Sequence, residues 1–439
     1  MISAEPARGV ATESVRSSAD LPGETPLPKS CMLPLLTEPD EMKTDDVSLL
    51  ETRTRWTSTV AVNSARSVCR HFLERWISLP DVSLRDFASK TWEVAPGCVL
   101  TSRPAFYLPN QIERITGSAY RYHWFPEEPT TYEYQLAGGI QRYQSPTTAC
   151  LLKEAFLVDG AIHLPGLVHR LYPRAHRYPP VRVETEVARA AVHATWDGNL
   201  FFGLWLTDDC TLYPLAESEG IPIVTAQPPR SAHKATYEEW LGMRSTRLST
   251  AYLREVVLFE DLLQNASKHA RFQRLKEKLL SRLKVESHPG VFIIRGGSGK
   301  RRNMHNELEL ADYLKSRRGF RVVDINVADV PTILAACAGA RMIVGVEGSH
   351  LVHGLMVLEP GAGVLTLQPP NRFCVVIKRT TDRDGQDYGF VVGLPRSDGF
   401  WVDPVEVEQT LDLFPQSQRG QVPRVGNPYG RGSRSNPNP

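Results

Sequence analysis

The 439-residue chain has no CxxC pair. Its seven cysteines, Cys31, Cys69, Cys98, Cys150, Cys210, Cys337 and Cys374, are scattered, which argues against a zinc ribbon or a dense disulfide framework and fits a reducing compartment. No apolar run approaches the ~18–20 residues of a membrane span, and the acidic, proline-rich start has neither the basic nor the apolar region of a secretion signal. The expectation is a soluble, cytoplasmic protein, in which the sequon Asn265-Ala266-Ser267 reads as chance. A large charge of either sign is also missing: 51 Lys+Arg against 49 Asp+Glu leave +2, no general case for nucleic acid. What remains is ordinary globular material, 41% hydrophobic and 23% charged, enough at ~150 residues per domain for two or three domains.

Residues 1–50 hold six prolines and nine acids against four bases, and the stretch 415–439 has five Pro, four Gly and four Arg with no acid. Neither can bury enough apolar surface to order itself, so both read as flexible, the second as a basic tail. Residues 51–185 mix short apolar runs such as Ala155-Phe156-Leu157-Val158 with turns such as Asp159-Gly160, the pattern of short strands. Residues 186–286 read as a first α/β lobe: strands at Ala190–His193 and Ile221–Val224, then a long amphipathic helix from Thr250 to about Glu286, with Leu253, Val256, Val257, Phe272, Leu275 and Leu279 at helical spacing. Residues 287–414 alternate strand and helix, with strands at Val291–Ile294, Phe320–Asp324, Met342–Gly345 and Val364–Leu367 and a helix at Asn306–Arg318 stopped by Gly319. Such alternation implies βαβ crossovers and a parallel sheet, whose ligands sit beyond the carboxyl ends of the strands.

Two loops follow such ends. Arg295-Gly296-Gly297-Ser298-Gly299-Lys300-Arg301-Arg302 sets four cations and three glycines in eight residues, a cradle for phosphate or diphosphate, or else a solvated basic turn. It is not a Walker loop, since Ile294 stands where the first glycine belongs and Arg301 follows Lys300. Val346-Glu347-Gly348-Ser349-His350-Leu351-Val352-His353 offers Gly348 and Ser349 as amide donors at a helix start, with Glu347, His350 and His353 three apart on one helical face. The plainer reading has Glu347 and Ser349 capping the helix and His353 in the core. Asp208-Asp209 opens a helix, as a cap or as a general base toward an acceptor hydroxyl. Asp382-Arg383-Asp384-Gly385 has the Asp-x-Asp form of metal-dependent sugar transferases, but reads better as a polar turn.

The order Arg295, basic run to Arg302, Asn306-Glu307, Gly319-Phe320-Arg321-Val322-Val323, Glu347-Gly348-Ser349-His350-Leu351 and Pro360-Gly361-Ala362 resembles glycosyltransferase family 61 over about Asn199–Pro369. Two positions depart from the family pattern: Leu204 stands where Gly-His-Trp has its histidine, and Glu347 where the later loop begins with His. The resemblance implies a GT-B-like pair of Rossmann-like lobes with parallel sheets, and an inverting, metal-independent transfer of sugar from a nucleotide diphosphate donor. The acceptor would be a glycan or lipid-linked hydroxyl in surface or capsular polysaccharide assembly, with peripheral association to a membrane-bound acceptor. No cofactor and no metal are expected beyond the nucleotide-sugar substrate.

On this reading Arg295, Arg302, Asn306, Gly348, Ser349 and His353 hold the donor, while Asp208, Glu347 and His350 are the candidate bases. The two missing histidines leave open a catalytically silent binding protein. The Arg295–Arg302 loop with the basic tail leaves open a nucleic-acid binder, the weaker reading on composition.

Overall fold

The computed structural model describes residues 50–56, 83–116, 136–172, 182–225, 232–297 and 302–415. All of these belong to one compact unit. The sequence readings for the acidic head, the basic tail and residues 298–301 of the glycine-rich loop lie outside the described residues.

Strands β1 (Leu50–Trp56), β2 (Lys90–Ala95), β3 (Cys98–Thr101), β4 (Ala105–Phe106), β5 (Gln141–Gln144), β6 (Thr147–Val158), β7 (Ala161–Leu164), β8 (Leu167–Arg170), β9 (Arg182–Val192), β10 (Ile221–Thr225), β11 (Thr246–Leu248) and β12 (Thr250–Glu260) come first. Among the described residues, nine of them form a sheet in the order β11-β10-β9-β12-β6-β7-β8, with β1 on β9 and β2 on β6. The expected parallel sheet is its β11-β10-β9-β12 half only; β12 pairs antiparallel with β6, and β6, β7 and β8 make an antiparallel meander. The boundary expected at 186 falls inside β9, and strands from the preceding region bond directly into this sheet. Short local segments could not announce that pairing, because their partners lie far away in sequence.

The long helix expected over Thr250–Glu286 is instead the strand β12 followed by a helix, Ala266–Leu280. Leu253, Val256 and Val257 are all buried because β12 lies inside the sheet between β6 and β9, so alternation is lost and three apolar positions mimic a helical stripe. Asn265 separates the two elements: its side chain accepts the Lys268 amide at 2.9 Å as helix cap and donates to Thr147 Oγ1 at 2.9 Å. This buried, fully used amide explains the sequon as a structural feature.

The second sheet follows the sequence reading closely. Strands β13 (Val291–Ile294), β14 (Arg321–Asp324), β15 (Met342–Val346), β16 (Gly363–Gln368) and β17 (Asp387–Val392) run parallel in the order β14-β13-β15-β16-β17, with β4 added at the far edge. Side chains divide by strand parity. Phe292, Val344, Leu365 and Val391 pack toward the helices Glu307–Arg318 and Pro404–Leu411, while Val291, Ile293, Ile343, Val364 and Phe390 face Ile333 and Leu355.

That second face continues without a break into Trp205, Leu206, Tyr237, Phe272 and Leu275 of the first lobe, so one core holds both. The lobes approach closely at Gly203, where an added Cβ would stand 3.2 Å from Ser349 Cα and 3.0 Å from Val352 Cγ2. Among the described residues no helix is long and apolar enough to cross a membrane.

Candidate active site

Open parallel sheets bind ligands where the strand order reverses, at the carboxyl ends on either side of the reversal. In the second sheet β13 comes first, β14 lies on one side and β15 on the other, so the reversal falls between β13 and β15. Arg295 follows β13 directly and Glu347 follows β15. Arg295 is buried, and its Nη1 donates to the Glu347 carbonyl at 3.3 Å. Arg302 pairs with the Glu347 carboxylate at 2.5 Å, and their side chains are only 9% and 6% exposed. Gly348 makes this packing feasible, because a Cβ there would run into Arg295 Nη1.

Burial, then the neighbouring Arg302, pushes the Arg295 guanidinium down to about 10. Glu347 is pushed up by burial, against the pull of Arg302, Arg372 and Arg295. Arg295, Arg302 and Arg372 thus gather around the buried Glu347 carboxylate, with the Glu307 carboxylate behind Arg295, a charged and largely dry setting in which an incoming anion interacts strongly.

The start of the glycine-rich segment is tied down in a way the sequence reading missed. Glu307 accepts the backbone N–H of Arg295 at 2.8 Å and of Gly296 at 2.9 Å, so those two amides already serve an internal carboxylate. Asn306 is equally committed: its amide donates to the Val402 carbonyl at 2.7 Å and its oxygen accepts the Val402 N–H at 3.1 Å. The Arg295 and Gly296 amides and the Asn306 side chain are thus committed within the protein, while the guanidinium groups and the turn at Gly348 and half-buried Ser349 also lie at this edge. Arg372, beyond β16, escaped sequence reading because nothing local marks it.

The histidines behave differently from each other. His350 is buried behind the loop, its ring held well below its ordinary range by burial and by Arg295. His353 sits in the seam between the lobes, as the plainer sequence reading had it: its Nδ1 shares a hydrogen bond with the Tyr237 hydroxyl at 2.8 Å, and its ring packs 4.7 Å from Phe202 and 5.1 Å from His233. Burial lowers it from 6.5 to about 3.

The first sheet has its own reversal, between β9 and β12. A cleft opens there, lined by Trp196 and Asp197 beyond β9, Asp261 and Leu262 beyond β12, Asp208, and Thr380 from the second lobe. Residues Trp205–Asp209 form a π-turn, which sends the two adjacent aspartates in different directions. Asp209 turns inward to accept Thr195 N–H at 3.0 Å and its hydroxyl at 2.7 Å, and burial raises it well above the carboxylate range. Asp208 lines the cleft, 22% exposed, and pairs through Oδ1 with Lys268, whose side chain is fully buried. Leu204, in the histidine's place, lines the same cleft. Gly203, just before it, packs on Ser349 across the lobe seam.

The Asp-x-Asp pair is spent on structure. Asp382 pairs with Lys378 at 2.7 Å and accepts the Arg103 amide, Asp384 pairs with Arg383 and His269, and Gly385 at φ 68° ends their helix. Among the described residues no group of three or more His, Cys, Asp or Glu is placed to hold a metal ion.

Removing Asp208 strands a buried ammonium, so Asp208→Ala should cost about 3 kcal/mol in urea denaturation and the further change Lys268→Met should recover most of it; an unchanged midpoint in the single variant would dissolve the pair. His353 resists protonation only when folded, so the unfolded chain gains a proton first as pH drops below 6.5 and stability is lost down to about 3. His353→Phe should flatten that decline by up to about 1.4 kcal/mol per pH unit, measured as urea midpoints from pH 7 to 4.

No curated protein matches the chain. The family model described as Glycosyltransferase 61 matches residues 122–365, more than half of the 439, spanning the first-lobe residues of the cleft, Arg295, Arg302 and the Glu347 turn. The chain belongs to glycosyltransferase family 61 and is a glycosyltransferase.

Proposed function

We propose that the chain is an inverting, metal-independent transferase of the two-lobed GT-B type, moving a sugar from a nucleotide diphosphate donor to a glycan or lipid-linked hydroxyl. The observation that carries this is the placing of the Arg295 and Arg302 guanidinium groups side by side, the first buried and the second only 9% exposed, at the reversal point of the second sheet. The donor diphosphate lies against Arg295, Arg302 and Arg372, with the Gly348 and Ser349 amides as further donors. The acceptor enters the first-lobe cleft, where Trp196 gives a sugar an apolar face.

Asp208 is the base on this reading. It lines the cleft; Lys268 engages Oδ1, and Oδ2 accepts a long 3.4 Å contact from the Thr207 hydroxyl. Glu347 and His350, the other two candidates, are buried and face the arginines rather than the cleft. As the acceptor oxygen bonds to the anomeric carbon, its proton passes to Asp208 Oδ2. The bond from that carbon to the phosphate oxygen breaks, and its electron pair leaves on the diphosphate. Positive side chains fixed in a dry site stabilise that developing charge, at roughly 3 kcal/mol for each well-placed donor. Surface or capsular polysaccharide assembly in the cytoplasm is the setting this reaction fits.

Arg295→Ala should remove binding of uridine, guanosine or cytidine diphosphate sugars in calorimetry, by about 100-fold or more, since a charge-assisted bidentate contact is lost. Its thermal midpoint should stay close to that of the parent, because Arg302 still pairs with Glu347. Affinity within a few fold of the parent would refute the cradle.

A further inference from the structure

Glu347 is not needed to build the turn that carries it. Its backbone does that work, with its N–H donating to the Leu367 carbonyl at 2.9 Å and its carbonyl receiving both Arg295 and Arg302. The carboxylate is an addition: a buried charge placed against Arg302 at 2.5 Å, within the field of Arg295 and Arg372. Burying an ion pair brings little net stability over an uncharged packing of the same shape, so stability alone does not account for this carboxylate.

Charge balance does account for it. A sugar-linked nucleoside diphosphate carries two negative charges. Once the sugar departs, the terminal phosphate is a monoester whose second proton leaves near pH 6, so the product is more negative than the donor. With the Glu347 charge removed, the positive field of Arg295, Arg302 and Arg372 would favour that more negative product further over the donor, and release would slow.

We propose that Glu347 is a resident counter-anion of the arginine cradle, a positioning and specificity residue that offsets one guanidinium charge and so weakens the hold on the free nucleoside diphosphate relative to its sugar conjugate. This rests on the donor reading above. It also gives the exchange of the family histidine for glutamate a physical consequence, a cradle adjusted toward release.

The test is calorimetry on the full chain, Glu347→Gln against the parent, with inorganic pyrophosphate, with uridine, guanosine and cytidine diphosphates, and with the corresponding diphosphate sugars, at low and high salt. The amide keeps the shape and an acceptor for Arg302. Expected are a rise of about ten-fold or more in affinity for pyrophosphate and the free diphosphate, a smaller rise for the sugar conjugate, and a steeper salt dependence. A purely structural role for Glu347 would lower affinities together or leave them unchanged.

Parent binding with no rise in the variant, or with equal rises for conjugate and free diphosphate, overturns the counter-anion while leaving the donor reading intact. Absence of binding in both proteins overturns both. If Glu347→Gln does not show the parent's cooperative melt, Glu347→His is measured in its place, with the same expected direction and the same outcomes against it.

Discussion

Burying a guanidinium group is costly unless an anion meets it, and at the β13–β15 edge buried Arg295 and largely covered Arg302 stand beside the Glu347 carboxylate, with Glu307 behind Arg295. The turn at Gly348 has no side chain because the Arg295 guanidinium occupies that space. Glu307 closes the backbone amides behind Arg295, fixing where its side chain starts. The surrounding structure thus holds positive charge in a dry crevice, where electrostatic interactions are several times stronger than in water.

The two sheets contribute equivalent positions from different architectures. The second is parallel throughout, whereas the first is parallel only across β11-β10-β9-β12 and turns antiparallel beyond β12. Each nevertheless has one reversal in strand order, and the polar groups gather at both. The shared core through Trp205, Tyr237, Phe272 and Ile343, together with the close approach of Gly203 to Ser349, sets these two places against each other. In the seam between the lobes the His353 ring packs against Phe202 and Tyr237, with its Nδ1 hydrogen-bonded to the Tyr237 hydroxyl.

Much of the second lobe was legible because its signals are local. Val291–Ile294 is a short apolar run with turn residues before it, Asp329 caps the helix it precedes by accepting the Thr332 amide, and Gly319 at φ 66° stops the helix before β14. The first lobe was harder to read because its decisive contacts are distant in sequence. β12 is buried on both faces, which erases the alternation that marks a strand, and its pairing with β6 joins segments about a hundred residues apart.

In the sequence, Arg295, Arg302 and Glu347 stand out by residue type in loops after strands, and Asp208 by its place at a helix start. Lys268 and Arg372 do not, because a buried lysine 60 residues from its partner carries no local mark. Asn306 misled for the opposite reason: its place at a helix start is conspicuous, yet both ends of its amide are spent on Val402.

The most direct test of the central claim is a structure of the chain with a nucleoside diphosphate bound. The account predicts diphosphate oxygens at about 2.8 Å from the guanidinium nitrogens of Arg295 and Arg302, beyond the carboxyl ends of β13 and β15. A diphosphate bound elsewhere, with those arginines still closed on Glu347 alone, would contradict it.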